Sequence, residues 1–402
     1  MSLKRICIIT PFILSICLAF AFVSCQSDQD DDERESGKTS KQTIIVYMPW
    51  SGADLYAEFV KNIKNLESAI NNDRSCLNNK RLMVFISQSD RQSTLFEIKI
   101  KSKKCVRDTI QTYGKIALNT EEGISNILND IKTFAPAPTY AMLIGSHGMG
   151  WLPPGTKVPL NTLAKPTIFE QKRQYPKTRF FGHQTEINFQ TEVKSLATAI
   201  QNENMHMAFI VFDDCYMANI ETAYELRDAT DYLVASTSEI FLEGIPYKTA
   251  GAYLLKADLK NVCQAFYRYY NSYTPPCGAL SVTACKETER LAEIMKEINN
   301  SFTFDDHQLQ NIQVLDGLTV SIFFDLGDYV KHLCGDEKLL ATFNAQLHKT
   351  VIHEVHTATL HSDHNQKQFP VRTYSGLTIS DPSKNPAVTK NVEKTSWYQA
   401  TH

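Results

Sequence analysis

The sequence predicts an α/β fold in three layers, with helices on both faces of a mostly parallel sheet. Apolar runs of strand length recur through the N-terminal half, which is typical of strands covered on both faces; they are residues 43–48, 82–87, 140–144, 207–212 and 232–237. Segments with helical spacing of apolar residues lie between most of these runs. Strands that alternate with helices need crossover connections, and such connections favour parallel pairing.

In the segments between the strands, the spacing of apolar residues predicts helices or a hairpin. A helix that Asp54 caps is predicted to run to about Ile70, with five apolar residues on one face: Leu55, Phe59, Ile63, Leu66 and Ile70. Two further helices are predicted, over residues 122–134 and 192–201. Segments 94–100 and 105–113 instead alternate in polarity, which predicts a hairpin at an edge of the sheet.

Two of the predicted strands end in residues that carry chemistry. The strand at 207–212 is followed by Cys215, and Asn219 can then cap a helix. The strand at 140–144 is followed by His147, which lies among glycines. Open α/β sheets bind ligands at the carboxyl ends of their strands. A helix N-terminus there favours the thiolate form of a cysteine, and an imidazole can act as general acid or base. Parallel pairing of the two strands would bring His147 and Cys215 together.

Around these residues the sequence resembles the clostripain-like cysteine peptidases, relatives of gingipains, caspases and legumains. The matching segments are GSHGMGW at 145–151, FDDCYMANIETAYEL at 212–226, ASTSEIFLEGIPY at 235–247 and SGLTI at 375–379. The resemblance implies a caspase-like three-layer α/β/α sandwich. One departure is Asp214, directly before Cys215, where the family usually has a small residue. Its carboxylate would either disfavour the thiolate or point outward.

The resemblance also implies a Cys–His dyad that hydrolyses peptide bonds. Cys215 would attack the carbonyl carbon, and His147 would protonate the leaving amine and then help to activate water. The backbone N–H groups of Cys215 and Gly148 would form the oxyanion hole, as in caspase-like relatives. The alternative is a buried structural thiol at Cys215. The dyad hypothesis requires the sulfur to lie beside the imidazole and to be accessible.

The loop after the strand at 232–237 corresponds to the primary specificity pocket of the resembling enzymes. Asp213, two residues before the predicted nucleophile, matches an acidic residue of that pocket, and Glu243 or Glu239 could supply a second carboxylate. A carboxylate at the base of a narrow pocket binds a guanidinium or an ammonium group. The expected substrates are therefore proteins or peptides with Arg or Lys at P1. Alternatively, Asp213 caps a helix or ends the strand, and the two glutamates have no part in the pocket.

A long proline-containing loop lies between the two predicted catalytic residues, over residues 152–188. A loop of this length in a compact enzyme is usually functional or disordered. In the resembled family this interval is self-processed after a basic residue. The candidate self-cleavage sites are Lys172, Arg173, Lys177 and Arg179. The alternative is an exposed loop that is never cut.

The N-terminus has the layout of a lipoprotein signal peptide over residues 1–24. Lys4 and Arg5 precede an apolar stretch, and Cys25 would receive the lipid after cleavage; a plain transmembrane anchor is the alternative. The acidic residues 25–42 predict a disordered tether. An acidic tract behind the lipidated cysteine resembles a signal for display on the outer face of the outer membrane. A spacer that faces the periplasm is the alternative.

The residues that follow the tether exceed the usual size of a single domain, so a catalytic domain followed by a C-terminal extension is predicted. The catalytic domain would span 43–247, and the α+β extension, over 248–402, would pack on it and complete it. The elements predicted in the extension are helices at 261–273, 287–298 and 326–333, a strand at 279–284 and an extended segment at 320–325. Seven cysteines follow Cys25. Because seven is odd, at least one thiol must stay free in an oxidising compartment.

The sequence gives little support for cofactors or nucleic acid. The net charge is −3, and the basic residues are scattered, so no nucleic-acid footprint is expected. The HEVH segment at 353–356 has three-residue spacing instead of the four of HExxH, which favours histidines on a helix surface or in solvent. The glycines around His147 lack the residues of a phosphate loop. No cofactor is expected to be required, and calcium is implied only by the resemblance.

Two other classes of function remain open. The chain could be a catalytically silent homologue that binds peptides or host proteins at the cell surface, with Asp214 as the reason for lost activity. It could also be an interaction module of an envelope complex. Reaction of Cys215 with a substrate mimic distinguishes the peptidase from the silent homologue, and co-purifying partners without a pocket at the Cys215 edge would identify the interaction module.

Overall fold

The centre of the molecule is a sheet whose neighbouring strands come from distant parts of the sequence. The structure, a computed structural model, describes residues 40–49, 53–156, 181–182, 187–362 and 367–402. The strands are β1 (Gln42–Met48), β2 (Lys80–Ser89), β3 (Gln92–Lys101), β4 (Lys104–Tyr113), β5 (Tyr140–Gly145), β6 (Met207–Asp213), β7 (Thr230–Ala235), β8 (Ala279–Ala284), β9 (Phe324–Asp325), β10 (Val351–His356), β11 (Thr359–Ser362), β12 (Lys367–Pro370) and β13 (Thr378–Ile379). Nine of these strands form the main sheet, in the order β10-β8-β7-β6-β5-β1-β2-β3-β4.

The middle of the sheet is parallel and its edges are antiparallel. Strands β7, β6, β5, β1 and β2 pair in parallel, whereas β3 and β4 on one side and β8 and β10 on the other pair antiparallel. The predicted fold class is therefore confirmed, and the predicted hairpin is found at an edge.

Helices cover both faces. They are α1 (Ala53–Asn72), α2 (Glu121–Phe134), α3 (Val193–Asn202), α4 (Ile220–Glu225), α5 (Tyr247–Leu255), α6 (Leu259–Asn271), α7 (Glu287–Ser301), α8 (Leu326–Leu333), α9 (Glu337–Thr350), α10 (Pro386–Thr389) and α11 (Ser396–Thr401). Asp54 lies inside α1, so the prediction that it caps this helix is wrong.

The alternation of side chains along β1 divides the core into two layers. Ile44 and Val46 pack on one face, with apolar residues of α1, α5 and α6. Ile45 and Tyr47 pack on the other face, with residues of α2, α3, α4 and α7. Burying each such aliphatic side chain stabilises the fold by about 1.5–3 kcal/mol. Because both faces are covered, the parallel strands read as continuous apolar runs.

The C-terminal residues extend the same sheet. Strand β8 pairs with β7, and β10 pairs with β8. His353 and His356 belong to β10, so of the two alternatives for the HEVH histidines the helix surface is wrong, and both side chains are half-buried on this strand. The division at residue 247 stays a prediction, since β6, β7 and β8 are consecutive strands of one sheet.

No helix in the described part of the chain is both long and apolar enough to cross a membrane. The predicted signal peptide, Cys25, most of the acidic tether and the four candidate self-cleavage sites lie outside the described residues.

Candidate active site

The two predicted catalytic residues emerge side by side from neighbouring strands. Strands β5 and β6 are parallel and adjacent, and Gly145 pairs with Asp213 at their carboxyl ends. His147 and Cys215 each follow two residues after this pair. Adjacent strands are about 4.8 Å apart, so the two loops start close together at one edge of the sheet.

A buried pair of side chains joins these loops one residue before the predicted dyad. The backbone N–H of Ser146 donates to Oδ1 of Asp214 at 2.7 Å, and the Ser146 hydroxyl donates to Oδ2 at 2.9 Å. Both residues are fully buried. The Asp214 carboxylate therefore points towards the His147 loop and not outward.

The thiol of Cys215 lies under the loop that follows β7. Its Sγ accepts a hydrogen bond from the Ile240 N–H at 3.3 Å and lies 3.7 Å from the Ile240 carbonyl oxygen. Cys215 is 0 % exposed and His147 is 2 % exposed. The sulfur is therefore not accessible in this conformation, although the dyad hypothesis requires it to be.

The residue after Cys215 holds an unusual backbone conformation. Tyr216 has a φ of 60°, in the left-handed region that a bulky residue rarely adopts. Its ring stacks on Phe323 with a centroid distance of 4.8 Å, and its hydroxyl donates to Glu239 at 2.7 Å. These contacts stabilise a sharp turn directly after the predicted nucleophile.

Beyond this turn the chain is extended before helix α4 begins. Ala218 donates to the Ser236 carbonyl at 2.9 Å and accepts from the Thr378 N–H at 3.0 Å. Asn219 then caps α4 by accepting from the Thr222 N–H at 2.7 Å, as predicted. Since residues 216–218 lie between Cys215 and Asn219, the thiol does not occupy the helix N-terminus itself.

Asp213 lies beneath the predicted specificity loop. It accepts the Ile245 N–H at 2.7 Å and the Tyr247 hydroxyl at 3.1 Å. Gly244 has a φ of 69°, and a Cβ there would come within 2.4 Å of the Asp213 carboxylate. A side chain at residue 244 would therefore displace that carboxylate. Asp213 is fully buried, and a pocket carboxylate and a strand-end residue are both compatible with these contacts.

The two glutamates of the same loop occupy different environments. Glu239 is buried and accepts hydrogen bonds from Tyr216 and from Ser362, the latter at 3.0 Å. Glu243 is half-buried; a hydrogen bond to Glu58, with smaller contributions from the charges of Glu58 and Glu243, raises the pKa of Lys61. Glu243 is thus the more available of the two to a substrate, while a pocket role for either stays a prediction.

Sequence reasoning missed a connection from the C-terminal segment to both loops. Trp151 donates its indole N–H to the Ser380 hydroxyl at 2.9 Å, and the Ser380 N–H donates to Glu221 Oε1 at 2.8 Å. Trp151 follows the His147 loop, and Glu221 lies in α4. The acidic residue in the first turn of α4 was a visible signal, but its partner lies 159 positions away.

Two buried carboxyl groups meet at this connection. Oε2 of Glu221 and both carboxylate oxygens of Asp381 are inaccessible and have no hydrogen-bond partner among the described residues. Burial, and then the Asp381 charge, raise the pKa of Glu221 to about 8. Burial raises the pKa of Asp381 to about 7. Both groups are therefore protonated when the solution is mildly acidic.

This pair predicts that stability falls as the pH rises. Each pKa is higher in the folded chain than in the unfolded chain, so the folded state retains protons that the unfolded state has lost. The stabilisation is complete below about pH 4 and is lost as the pH rises through 7 and 8. We expect Glu221→Gln and Asp381→Asn each to increase the free energy of unfolding at pH 8.5 by on the order of 2 kcal/mol, with little change at pH 5. Thermal unfolding at the two pH values measures this. Equal effects at both pH values would contradict it, and Glu293→Gln, an exposed residue, is the control.

Among the described residues, no three His, Cys, Asp or Glu side chains are grouped so that they could hold a metal ion. None of the seven cysteines among the described residues forms a disulfide bond.

Comparison with known proteins gives the family. The model of the clostripain family matches residues 52–337, which is more than half of the chain. The chain belongs to the clostripain family. It is a cysteine peptidase with a caspase-like fold, as the sequence predicted.

Solved structures of clostripain-family proteins agree with this fold. A secreted C11 cysteine protease of Bacteroides thetaiotaomicron, "iotapain", is 41 % identical with a TM-score of 0.82, over 91 % of this chain and all of that chain. A clostripain of the same species, solved with the peptide inhibitor BTN-VLTK-AOMK, is 46 % identical with a TM-score of 0.54, over 56 % of this chain and 99 % of that chain. An inactive zymogen C11 protease of Parabacteroides distasonis has a TM-score of 0.74 at 24 % identity, over 91 % of this chain and 99 % of that chain, and supports the fold alone. No curated protein matches the chain.

Proposed function

We propose that this cysteine peptidase cleaves peptide bonds after Arg or Lys through a dyad of His147 and Cys215. The observation that carries the proposal is the pairing of Gly145 with Asp213 in neighbouring parallel strands. Because of this pairing the two loops begin side by side, and His147 and Cys215 each lie two residues beyond the paired strand ends. A nucleophile and its acid–base partner need this proximity.

The chemistry proceeds in two steps at the carboxyl edge of the sheet. The Cys215 sulfur attacks the scissile carbonyl carbon, and the negative charge that develops on the oxygen is stabilised by the N–H groups of Cys215 and Gly148. His147 donates a proton to the leaving amine, and a thioester to Cys215 remains. A water molecule that His147 deprotonates then attacks the thioester, and the second product leaves with a new carboxylate.

A basic P1 residue is supported by the carboxylates near Cys215. Asp213 accepts hydrogen bonds from the Ile245 N–H and the Tyr247 hydroxyl, so its carboxylate lies against the predicted specificity loop. Glu243 lies in the same loop, and Glu239 is the third candidate. The peptide of the inhibitor bound to the 46 % identical relative is written VLTK, which ends in lysine.

The buried thiol supports activation by self-cleavage. With Cys215 at 0 % exposure, a substrate reaches the sulfur only after part of the covering structure moves. A cut after Lys172, Arg173, Lys177 or Arg179 would divide the chain between β5 and β6, and this division is proposed to let the covering structure move. The proposed preference for basic P1 residues makes these four positions substrates of the enzyme itself.

The N-terminal residues support an envelope location. Removal of residues 1–24 would leave Cys25 to carry a lipid, and the tether at 25–42 would hold the peptidase away from the outer membrane, on the cell surface. The 41 % identical relative is described as secreted. Incorporation of a labelled fatty acid, lost in a Cys25→Ala variant, tests the anchor.

Fluorogenic peptides with Arg, Lys, Asp or Asn at P1 test the specificity. We expect the purified chain to cleave the Arg and Lys peptides with a kcat/KM at least about 100-fold above that for the Asp and Asn peptides, because only the basic side chains pair with a carboxylate. The assay should be run before and after prolonged incubation, so that self-cleavage can occur. Cleavage of only the Asp or Asn peptides would refute the basic P1 assignment.

A further inference from the structure

A buried acid–hydroxyl contact joins the two residues that directly precede the predicted catalytic residues in the sequence. Asp214 precedes Cys215, Ser146 precedes His147, and the two are joined by hydrogen bonds of 2.7 and 2.9 Å. We propose that Asp214 is a positioning residue that fixes the His147 loop relative to Cys215 through Ser146. This inference rests on the proposed dyad.

The contact uses both oxygens of one carboxylate on one residue. Oδ1 binds the Ser146 backbone N–H, which fixes the path of the chain, and Oδ2 binds the hydroxyl, which fixes the side-chain rotamer. Hydrogen bonds to an ionised carboxylate are about twice as strong as neutral ones. A small residue at position 214 could not make either bond.

Ser146 extends this restraint to the backbone of His147. Its Oγ lies 3.0 Å from the His147 carbonyl oxygen and accepts the Gly182 N–H at 3.3 Å. The His147 N–H in turn donates to the Gly182 carbonyl at 3.3 Å. A shift of Ser146 would therefore move the histidine backbone, and with it the imidazole.

Three consecutive acidic and thiol side chains leave β6 in different directions. Asp213 binds the loop at 244–247, Asp214 binds Ser146, and the Cys215 sulfur contacts Ile240. Asp214 therefore directs its carboxylate to the loop that carries His147. Its geometry is that of a support for the partner loop.

The test compares Asp214→Ala, Asp214→Asn, Ser146→Ala and the Asp214→Ala/Ser146→Ala double variant. The amount of active enzyme is first titrated with a covalent thiol inhibitor, so that kcat is given per reactive Cys215. We expect Asp214→Ala to lower kcat about 10- to 100-fold with KM changed less than about 3-fold, because a misplaced catalytic group loses rate and not substrate binding. Asp214→Asn should recover most of the rate, since its amide can still bind both Ser146 groups.

The double variant identifies the path of the effect. If Asp214 acts through Ser146, the two single effects are not additive. The kcat of the double variant should then lie within about 2- to 3-fold of the kcat of Asp214→Ala. Multiplicative losses would overturn the proposed route. The control is Asp325→Ala, which removes another buried carboxylate that accepts two backbone N–H groups; it should lower the melting temperature without changing kcat per titrated thiol.

A second readout separates this inference from the proposed function. The rate at which iodoacetamide alkylates Cys215, measured from pH 5 to 9, reports the thiol–imidazole pair without any P1 residue. We expect Asp214→Ala to shift the midpoint of this profile and Asp325→Ala to leave it in place. An unchanged alkylation profile and unchanged kcat in Asp214→Ala would overturn the inference. Failure of the wild-type chain to cleave after Arg or Lys would overturn only the proposed specificity.

Discussion

Replacement of Cys215 by alanine should abolish peptide cleavage, with a loss of at least about 10⁴-fold in kcat. The reason is that the covalent thioester cannot form without the sulfur, and His147 cannot act as the nucleophile in its place. Hydrolysis of the best fluorogenic peptide, followed to the detection limit, measures this. The same variant should also stay intact during incubation, whereas we expect the wild-type chain to be cut between residues 152 and 188.

The matched control is Cys263→Ala. Cys263 is also buried, but it lies in α6 on the face of the sheet that α1 and α5 cover. Burial raises its pKa to about 12, so it is a thiol and not a nucleophile at neutral pH. We expect the kcat of Cys263→Ala to stay within about 3-fold of the wild-type value. If Cys215→Ala cleaved peptides at the wild-type rate, another residue would be the nucleophile. If the wild-type chain and Cys215→Ala were both inactive, a silent peptide-binding homologue would be favoured.

Substitution of Asp213 by asparagine should remove the preference for basic P1 residues. We expect kcat/KM for Arg and Lys peptides to fall about 100- to 1,000-fold, because a charge-assisted hydrogen bond to the substrate is lost in a buried site. The asparagine can still accept the Ile245 N–H and contact the Tyr247 hydroxyl, so the loop geometry should be kept. Steady-state kinetics on the P1 peptide panel measures the change.

A peptide with a neutral P1 residue controls for damage to the loop. If Asp213 forms the pocket, cleavage of that peptide should change less than about 5-fold while cleavage of the basic peptides collapses. A uniform loss on all peptides would instead assign Asp213 a purely structural role. The parallel variant Glu243→Gln tests the second candidate, and a larger effect there would move the specificity to that residue.

The sequence allowed the parallel core to be predicted because burial on both faces leaves continuous apolar runs. Strands β5 and β6 were predicted within a residue or two of their observed ends. Their adjacency could not be read from periodicity, and it followed from the chemical need to pair His147 with Cys215. Strand β10 was missed because HEVH carries no apolar run: His353 and Glu354 lie on an edge strand that is partly exposed.

The details of the site depend on contacts between distant segments. The direction of the Asp214 side chain was not predictable, since alternation along a strand stops at Asp213. The Cys215 sulfur contacts Ile240, which lies 25 positions later, and Cys215 packs in an apolar cluster with residues as distant as Val388. The link from Glu221 to Ser380 spans a still larger separation. Local patterns determine which residues reach the sheet edge, whereas tertiary packing determines how each one is oriented there.

The strand order has a further consequence if the chain is cut at the proposed sites. Strands β1 to β5 form one side of the central sheet and β6 to β8 with β10 form the other, so the seam between β5 and β6 is the only place in the described main sheet where the two halves pair. A chain opened between Lys172 and Arg179 would yield two polypeptides, one with the imidazole and one with the sulfur. Helices α2 and α3, and α1 and α5, also pack across this seam. The nicked enzyme should therefore migrate as one species in gel filtration and as two bands after denaturation, and neither polypeptide alone should hydrolyse peptides.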